Sequence, residues 1–213
     1  MEDIALIDYG SGNIHSAARA LHKAADMAGK ACTITLTHDP DRVYKADRIV
    51  LPGVGHFADC AAALKSRDGL VEALGMAVHT HAKPFLGICV GMQLLADTGW
   101  EDGNTPGLGW IAGEVGPITP KGGLPIPHMG WNTITPTRPH PLMAGLGPDP
   151  HVYFVHSYAF QAANPACILA ETDYGGLITT LIGKDNICGT QFHPEKSQRA
   201  GLRFLANFID WTL

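Results

Sequence analysis

The sequence predicts an α/β fold: a doubly wound, mostly parallel central sheet with helices on both faces, carrying extra short antiparallel strands in its second half. Three observations lead there. Apolar strand-like runs alternate with amphipathic helical runs through the first half. Glycine-rich turns follow the strands at residues 9–12, 52–55 and 87–91. The second half breaks into short β-like stretches punctuated by proline and glycine. Alternation of the first kind builds a parallel sheet covered on both faces. In such sheets ligands bind beyond the carboxyl ends of the strands, so the three turns are expected on one rim.

Taken in order, Ile4–Asp8 reads as a strand ending in Tyr9-Gly10-Ser11-Gly12. A helix follows from about Asn13 to Ala28, with Ile14, Ala17, Ala18 and Leu21 at helical spacing. Cys32–Thr37 and Asp47–Leu51 are strands, the second stopped by Pro52-Gly53-Val54-Gly55. Gly69–His81 is helical, with Leu70, Ala73, Leu74 and Ala77 on one side, and Pro84–Ile88 is a buried strand leading into Cys89 and a helical run over Met92–Ala96. Short β stretches follow at His128–Thr135, His151–Phe160, Ala166–Thr172 and Leu177–Ile182. The chain then reads as a strand at Ile187–Phe192 and a helix over about Gln198–Trp211.

With 213 residues, 46% of them hydrophobic, the chain is expected to form one domain over 1–213. A chain this long buries roughly 70% of its unfolded surface and needs no disulfide or metal staple. A net charge of -5 with no basic run argues against a nucleic-acid partner. No apolar run approaches the length of a membrane span. The five cysteines are scattered, with no Cys-x-x-Cys pair, and no secretory leader is apparent, so a reducing, cytoplasmic setting is expected. Neither a metal site nor a cofactor is indicated: His128 and His156 lack the ligand set and spacing of a metal centre.

Chemistry concentrates at Gly87-Ile88-Cys89-Val90-Gly91. Gly-x-Cys-x-Gly between a strand and a helix is the sulfur version of the nucleophile elbow, whose small flanking residues relieve a crowded turn. A thiol at a helix N-terminus is biased toward thiolate by the positive end of the helix dipole. The Val90 N–H is a donor for an oxyanion formed there, and Pro52-Gly53-Val54-Gly55 is the candidate source of a second, from Val54. Late in the chain, Gly189-Thr190-Gln191-Phe192-His193-Pro194-Glu195 brings an imidazole and a carboxylate to the end of another strand. Cys89, His193 and Glu195 then form a nucleophile, a base and the group that orients the base.

These two motifs, with Met92 and Gln93 after the elbow, resemble the triad-type (class I) glutamine amidotransferases. That resemblance implies hydrolysis of the glutamine side-chain amide through a cysteinyl thioester, with ammonia passed to a synthase. It implies an oxyanion hole from Val90, Val54 and Gly53, and substrate contacts at Gly53, Gly55, Gln93, Ser157 and Tyr158. Further segments are similar to one subfamily, the glutaminase subunits of imidazole glycerol phosphate synthase: Asp8-Tyr9-Gly10-Ser11-Gly12-Asn13, Leu51–Phe57, Pro127–Asn132, Phe154–Tyr158 and Glu195-Lys196-Ser197. This implies a heterodimer with a (β/α)8-barrel cyclase, contacted through Asn13, His128, Met129, Trp131, Tyr153, His156 and Lys196. Three alternatives stand beside it. The glutaminase of pyridoxal phosphate synthase carries Gly-Gly-Glu-Ser where this chain has Pro52-Gly53-Val54-Gly55. The others are a catalytically silent subunit of the same fold and a cysteine peptidase.

Overall fold

The computed structural model describes residues 1–10 and 13–212, so Ser11 and Gly12 of the first glycine-rich turn lie outside the described residues. The first half builds the parallel part of the sheet. Strand β1 (Glu2–Ile7) is followed by helix α1 (Ile14–Ala28), whose N-terminus is capped by the Asn13 side chain accepting from the Ser16 N–H. Gly29 ends α1 at φ 66°, a left-handed conformation that glycine adopts without steric cost. Next come β2 (Cys32–Thr37), α2 (Pro40–Lys45), β3 (Arg48–Gly53), α3 (Phe57–Lys65) and α4 (Leu70–Gly75), which runs on into a π-helical turn at Met76–Thr80. Strand β4 (Phe85–Cys89) leads into α5 (Val90–Gln93).

Strands β5 (Thr98–Gly99), β6 (Thr105–Pro106), β7 (Gly113–Pro117), β8 (His128–Thr133), β9 (Thr135–Pro136), β10 (His151–His156) and β11 (Tyr158–Ala162) are short. Then β12 (Ile168–Asp173), β13 (Leu177–Lys184) and β14 (Ile187–Thr190) return to the main sheet, and α6 (Gln198–Asp210) closes the chain.

The main sheet has the order β2-β1-β3-β4-β14-β13-β12-β9. Every pairing from β2 to β14 is parallel, while β13, β12 and β9 join antiparallel. Helices cover both sides, as the alternation predicts. Strands β8 and β10 form a two-stranded sheet of their own, and β11-β7-β5-β6 a four-stranded one. Helix α6 packs on α1 and buries Phe204, Leu205, Phe208 and Ile209, each side chain worth roughly 1.5–3 kcal/mol of transfer. The buried Arg48 guanidinium pairs with Glu2 and donates to the Phe208 and Trp211 carbonyls, tying β3 to the end of that helix.

Two helices escaped the sequence reading. Helix α2 carries a regular start, Asp39 capping and Pro40 in the first turn, and α3 begins directly after Gly55-His56. The run at Met92–Ala96 is helical only to Gln93, because the carbonyls of Leu94, Leu95 and Ala96 accept N–H groups from Leu108–Ile111 instead. A long-range loop thus takes over the hydrogen bonds that a longer helix would have used.

Candidate active site

Parallel register brings the site together. Gly53 at the end of β3 lies opposite Cys89 at the end of β4, and Thr190 at the end of β14 lies opposite Ile88. The chain leaving β14 through Gln191, Phe192 and His193 therefore emerges on the rim where β4 delivers Cys89. Tyr9, after β1, reaches the same rim, and its hydroxyl donates to the Pro52 carbonyl at 2.8 Å.

Cys89 sits at φ 55° and ψ -112°, a conformation that costs a non-glycine residue about 1–3 kcal/mol. The glycines around it make that turn possible. A Cβ added to Gly87 would overlap the Gly91 backbone, and one added to Gly91 would overlap the Leu51 backbone. At Gly53 an added Cβ would lie 2.8 Å from both the Gly91 nitrogen and the Tyr9 hydroxyl. The sequence pattern of small residues thus reflects the close approach of β3, β4 and the start of α5.

His193 is buried, and its Nδ1 meets Glu195 Oε1 at 2.8 Å. Its backbone is held by β10: the His193 N–H donates to the Tyr153 carbonyl, and the His193 carbonyl accepts from the Ser197 hydroxyl at 2.6 Å. That hydroxyl oxygen in turn accepts the Tyr153 N–H. Burial works against the imidazolium, but the neighbouring Cys89 sulfur and the Glu195 carboxylate outweigh it and push the His193 pKa up to about 9. Its Nε2 is buried with no ordinary hydrogen-bond partner among the described residues, and the Cys89 side chain is its neighbour.

A cavity of about 410 Å³ opens over the thiol, lined by Asn13, Val54, Gly55, Cys89, Val90 and Gln93 and by Glu101, Ser157, Tyr158, His193 and Lys196. Most of the residues expected at the substrate meet there. Gly53 does not: it lines a separate recess of about 10 Å³ with Asn13, His193 and Glu195. Gln93 does reach the cavity, but its amide nitrogen is already donating to the Tyr158 carbonyl and to Gln191 Oε1, each at 3.0 Å. Only its carbonyl oxygen stands outside those bonds.

The residues expected on a docking face divide into two groups, because side chains alternate across the β8–β10 pair. Met129 opposite Val155, and Trp131 opposite Tyr153, share the outer face, with Met129 and Trp131 exposed. The Trp131 and Tyr153 rings meet edge-on at 6.0 Å, and the Lys196 ammonium lies over the Tyr153 ring. His128 and His156, in contrast, belong to the inner face and are buried. His128 is sandwiched between the Phe154 and Tyr174 rings, so it is an interior residue and not surface. Burial pushes both imidazoles down to about 4, which keeps them neutral.

Glu101 and Gln191 were missed. Glu101 accepts the Phe57 N–H at the start of α3 while lining the cavity, yet it comes from a turn with no motif around it. Gln191 sits inside the histidine motif, but no spacing rule marks it.

The class-I glutamine amidotransferase family model matches residues 5–211. A glutamine amidotransferase crystal structure has a TM-score of 0.71 at 15% identity, with 97% of this chain and 99% of that one covered. Another, from Thermotoga maritima, has a TM-score of 0.64 at 17% identity over 98% and 83%. At those identities the likeness is one of fold. The class is that of the class-I glutamine amidotransferases. The imidazole glycerol phosphate synthase subunit HisH of Rhodospirillum rubrum is 58% identical over 210 residues, and that of Rhodopseudomonas palustris 53% over 212, each covering 98% of both chains. The chain belongs to this HisH family of class-I glutamine amidotransferases.

Proposed function

We propose that the chain hydrolyses glutamine and hands the ammonia to a synthase partner that makes imidazole glycerol phosphate in histidine biosynthesis. One observation carries the reading. A thiol on a strained elbow and an imidazole held by a carboxylate open onto the same cavity.

His193 Nε2 holds the proton that Cys89 gives up, and the sulfur attacks the side-chain amide carbon. The oxyanion is held by the Val90 N–H at the start of α5 and by the Val54 N–H, with Gly53 giving the loop room to turn. The carbon–nitrogen bond then breaks, and the His193 imidazolium returns the proton to the departing ammonia. Water, deprotonated by the same imidazole, attacks the thioester and releases glutamate and the free thiol. Thiol, imidazole and carboxylate suffice for these steps, so no cofactor is called for. Glu101 offers a carboxylate to the substrate's α-ammonium, while Gly55, Gln93, Ser157 and Tyr158 form the wall around its stem.

The partner is a (β/α)8-barrel cyclase forming a heterodimer over the Met129, Trp131, Tyr153 and Lys196 face, next to Asn13. Ammonia kept from water stays unprotonated and nucleophilic. The whole chain, 1–213, acts as one glutaminase domain, in the cytoplasm. No helix among the described residues is long and apolar enough to cross a membrane.

The test is glutamate release from glutamine, with and without the cyclase and its nucleotide ligand, for the parent chain and Cys89→Ala. Release is expected from the parent chain, stimulated by the loaded partner, and none from the variant. A folded parent chain that released no glutamate under either condition would overturn the reading.

A further inference from the structure

A continuous chain of buried and part-buried hydrogen bonds runs from the two-stranded sheet to the nucleophile. Its polarity is fixed by one group that can only accept, the Tyr158 carbonyl. Gln93 Nε2 lies 3.0 Å from that oxygen, so the Gln93 amide must present its NH2 there. The same NH2 meets Gln191 at 3.0 Å, so Gln191 must present its carbonyl to Gln93. The Gln191 NH2 is then left facing Cys89 Sγ at 3.7 Å. The usual ambiguity of amide orientation is thus removed by the network itself.

The other arm is determined the same way. His156 Nδ1, 2.9 Å from the Tyr158 carbonyl, must be the protonated nitrogen, so its Nε2 accepts. His128 Nδ1, 3.0 Å from His156 Nε2, must donate, and His128 Nε2 receives the Asn132 amide at 3.4 Å. Gln191 itself is fully buried, and its backbone N–H is held by the Thr180 carbonyl across to β13. A side chain fixed at both ends, with one donor aimed at the reacting sulfur, is placed to act on it.

We propose that Gln191 is a further catalytic residue, donating to Cys89 Sγ as negative charge collects there, and that Gln93 orients it from the Tyr158 carbonyl. A hydrogen bond to a thiol is weak, whereas one to a thiolate is charge-assisted, so the interaction strengthens as the proton leaves for His193. His193 is not the sole stabiliser of the sulfur, and His156, with His128 behind it, holds the same carbonyl from the other side. The inference rests on Cys89 being the nucleophile.

The experiment compares full-length parent, Gln191→Met, Gln191→Glu, Gln191→Asn and Cys89→Ala by two readouts at neutral pH: the rate of thiol alkylation by iodoacetamide at Cys89, located by mass spectrometry, and the kcat and KM for glutamine. Gln191→Met removes the donor. Gln191→Glu keeps the shape and the acceptor for Gln93, and serves where the methionine variant does not fold, as judged by circular dichroism. Both are expected to slow alkylation and kcat by about tenfold or more, with KM changed by less than about threefold, since a hydrogen bond to a charged group is worth roughly 1.5–3 kcal/mol. Gln191→Asn is expected to recover neither, the shorter stem leaving its NH2 short of sulfur. Parent-like alkylation and kcat in either folded Gln191 variant would overturn the proposal alone. Retained glutaminase activity in Cys89→Ala would overturn the nucleophile assignment itself.

Discussion

Tyr153 and His193 are joined backbone to backbone: the His193 N–H donates to the Tyr153 carbonyl at 2.9 Å, and Ser197 bridges the Tyr153 N–H to the His193 carbonyl. The strand that presents the exposed aromatic face is therefore also the strand that holds His193, the proposed base. A ligand on that face meets the base after one residue, which gives a short physical route between partner and chemistry.

The His193–Glu195 pair predicts a pH dependence with a definite sign. A histidine whose pKa rises from 6.5 to about 9 on folding binds its proton more tightly in the native state. Its contribution is complete below pH 6.5 and is lost as the pH rises through 9, up to roughly 3 kcal/mol by linkage. Urea unfolding of the parent chain at pH 6 and pH 9.5 is expected to show this loss, and the double variant Cys89→Ala/Glu195→Gln to show much less of it, since both groups raise the pKa. Equal pH dependence in the two proteins would refute the assignment.

Gly91→Ala places a methyl group inside the Leu51 backbone. Overpacking typically costs about 1–3 kcal/mol, and backbone cannot yield as a side chain does, so the upper end is expected. For a chain of this size that lowers the thermal midpoint by roughly 6–12 °C, measurable by calorimetry. Gly103→Ala, where an added Cβ meets nothing within 4 Å but φ is +119°, gives a control for backbone strain alone.

Val54→Pro removes the loop N–H assigned to the oxyanion. Loss of one such donor costs about 10²–10³ in kcat. Partner-stimulated glutamate release is expected to fall by that factor. Stimulation persisting at the parent level would exclude the Val54 N–H.

Trp131→Ala tests the docking face. Trp131 is 47% exposed yet packed edge-on against Tyr153, the situation of a rigid aromatic anchor. Truncation of such an anchor costs about 2 kcal/mol or more, so Kd for the cyclase is expected to rise roughly thirtyfold by titration calorimetry. An unchanged Kd would move the interface elsewhere.

Much of this was legible in one dimension because it is local. Strand β4, the elbow and the glycines at 87 and 91 follow from turn sterics within five residues, and α1 and α6 from helical spacing. The residues expected on a docking face divide between two faces. Met129, Trp131 and Tyr153 have the right character, but His128 and His156 look the same in sequence and turn inward. Which face of β8 meets solvent is set by its register with β10, and a shift of one residue would exchange the two sets.

The sequence by itself determined the chemistry available at Cys89, since an elbow needs only its neighbours to form. It also determined that His193 and Glu195 travel together, because two residues separated by a proline cannot part. Only the tertiary structure decided that these groups meet. Cys89 and Gln191 are 102 positions apart, and Gln93 and Tyr158 are 65 apart. Such contacts depend on the parallel register of β4 with β14, a pairing paid for by burial across the whole sheet and encoded in no local spacing. Cys89 owes its position to five residues, and its surroundings to the entire fold.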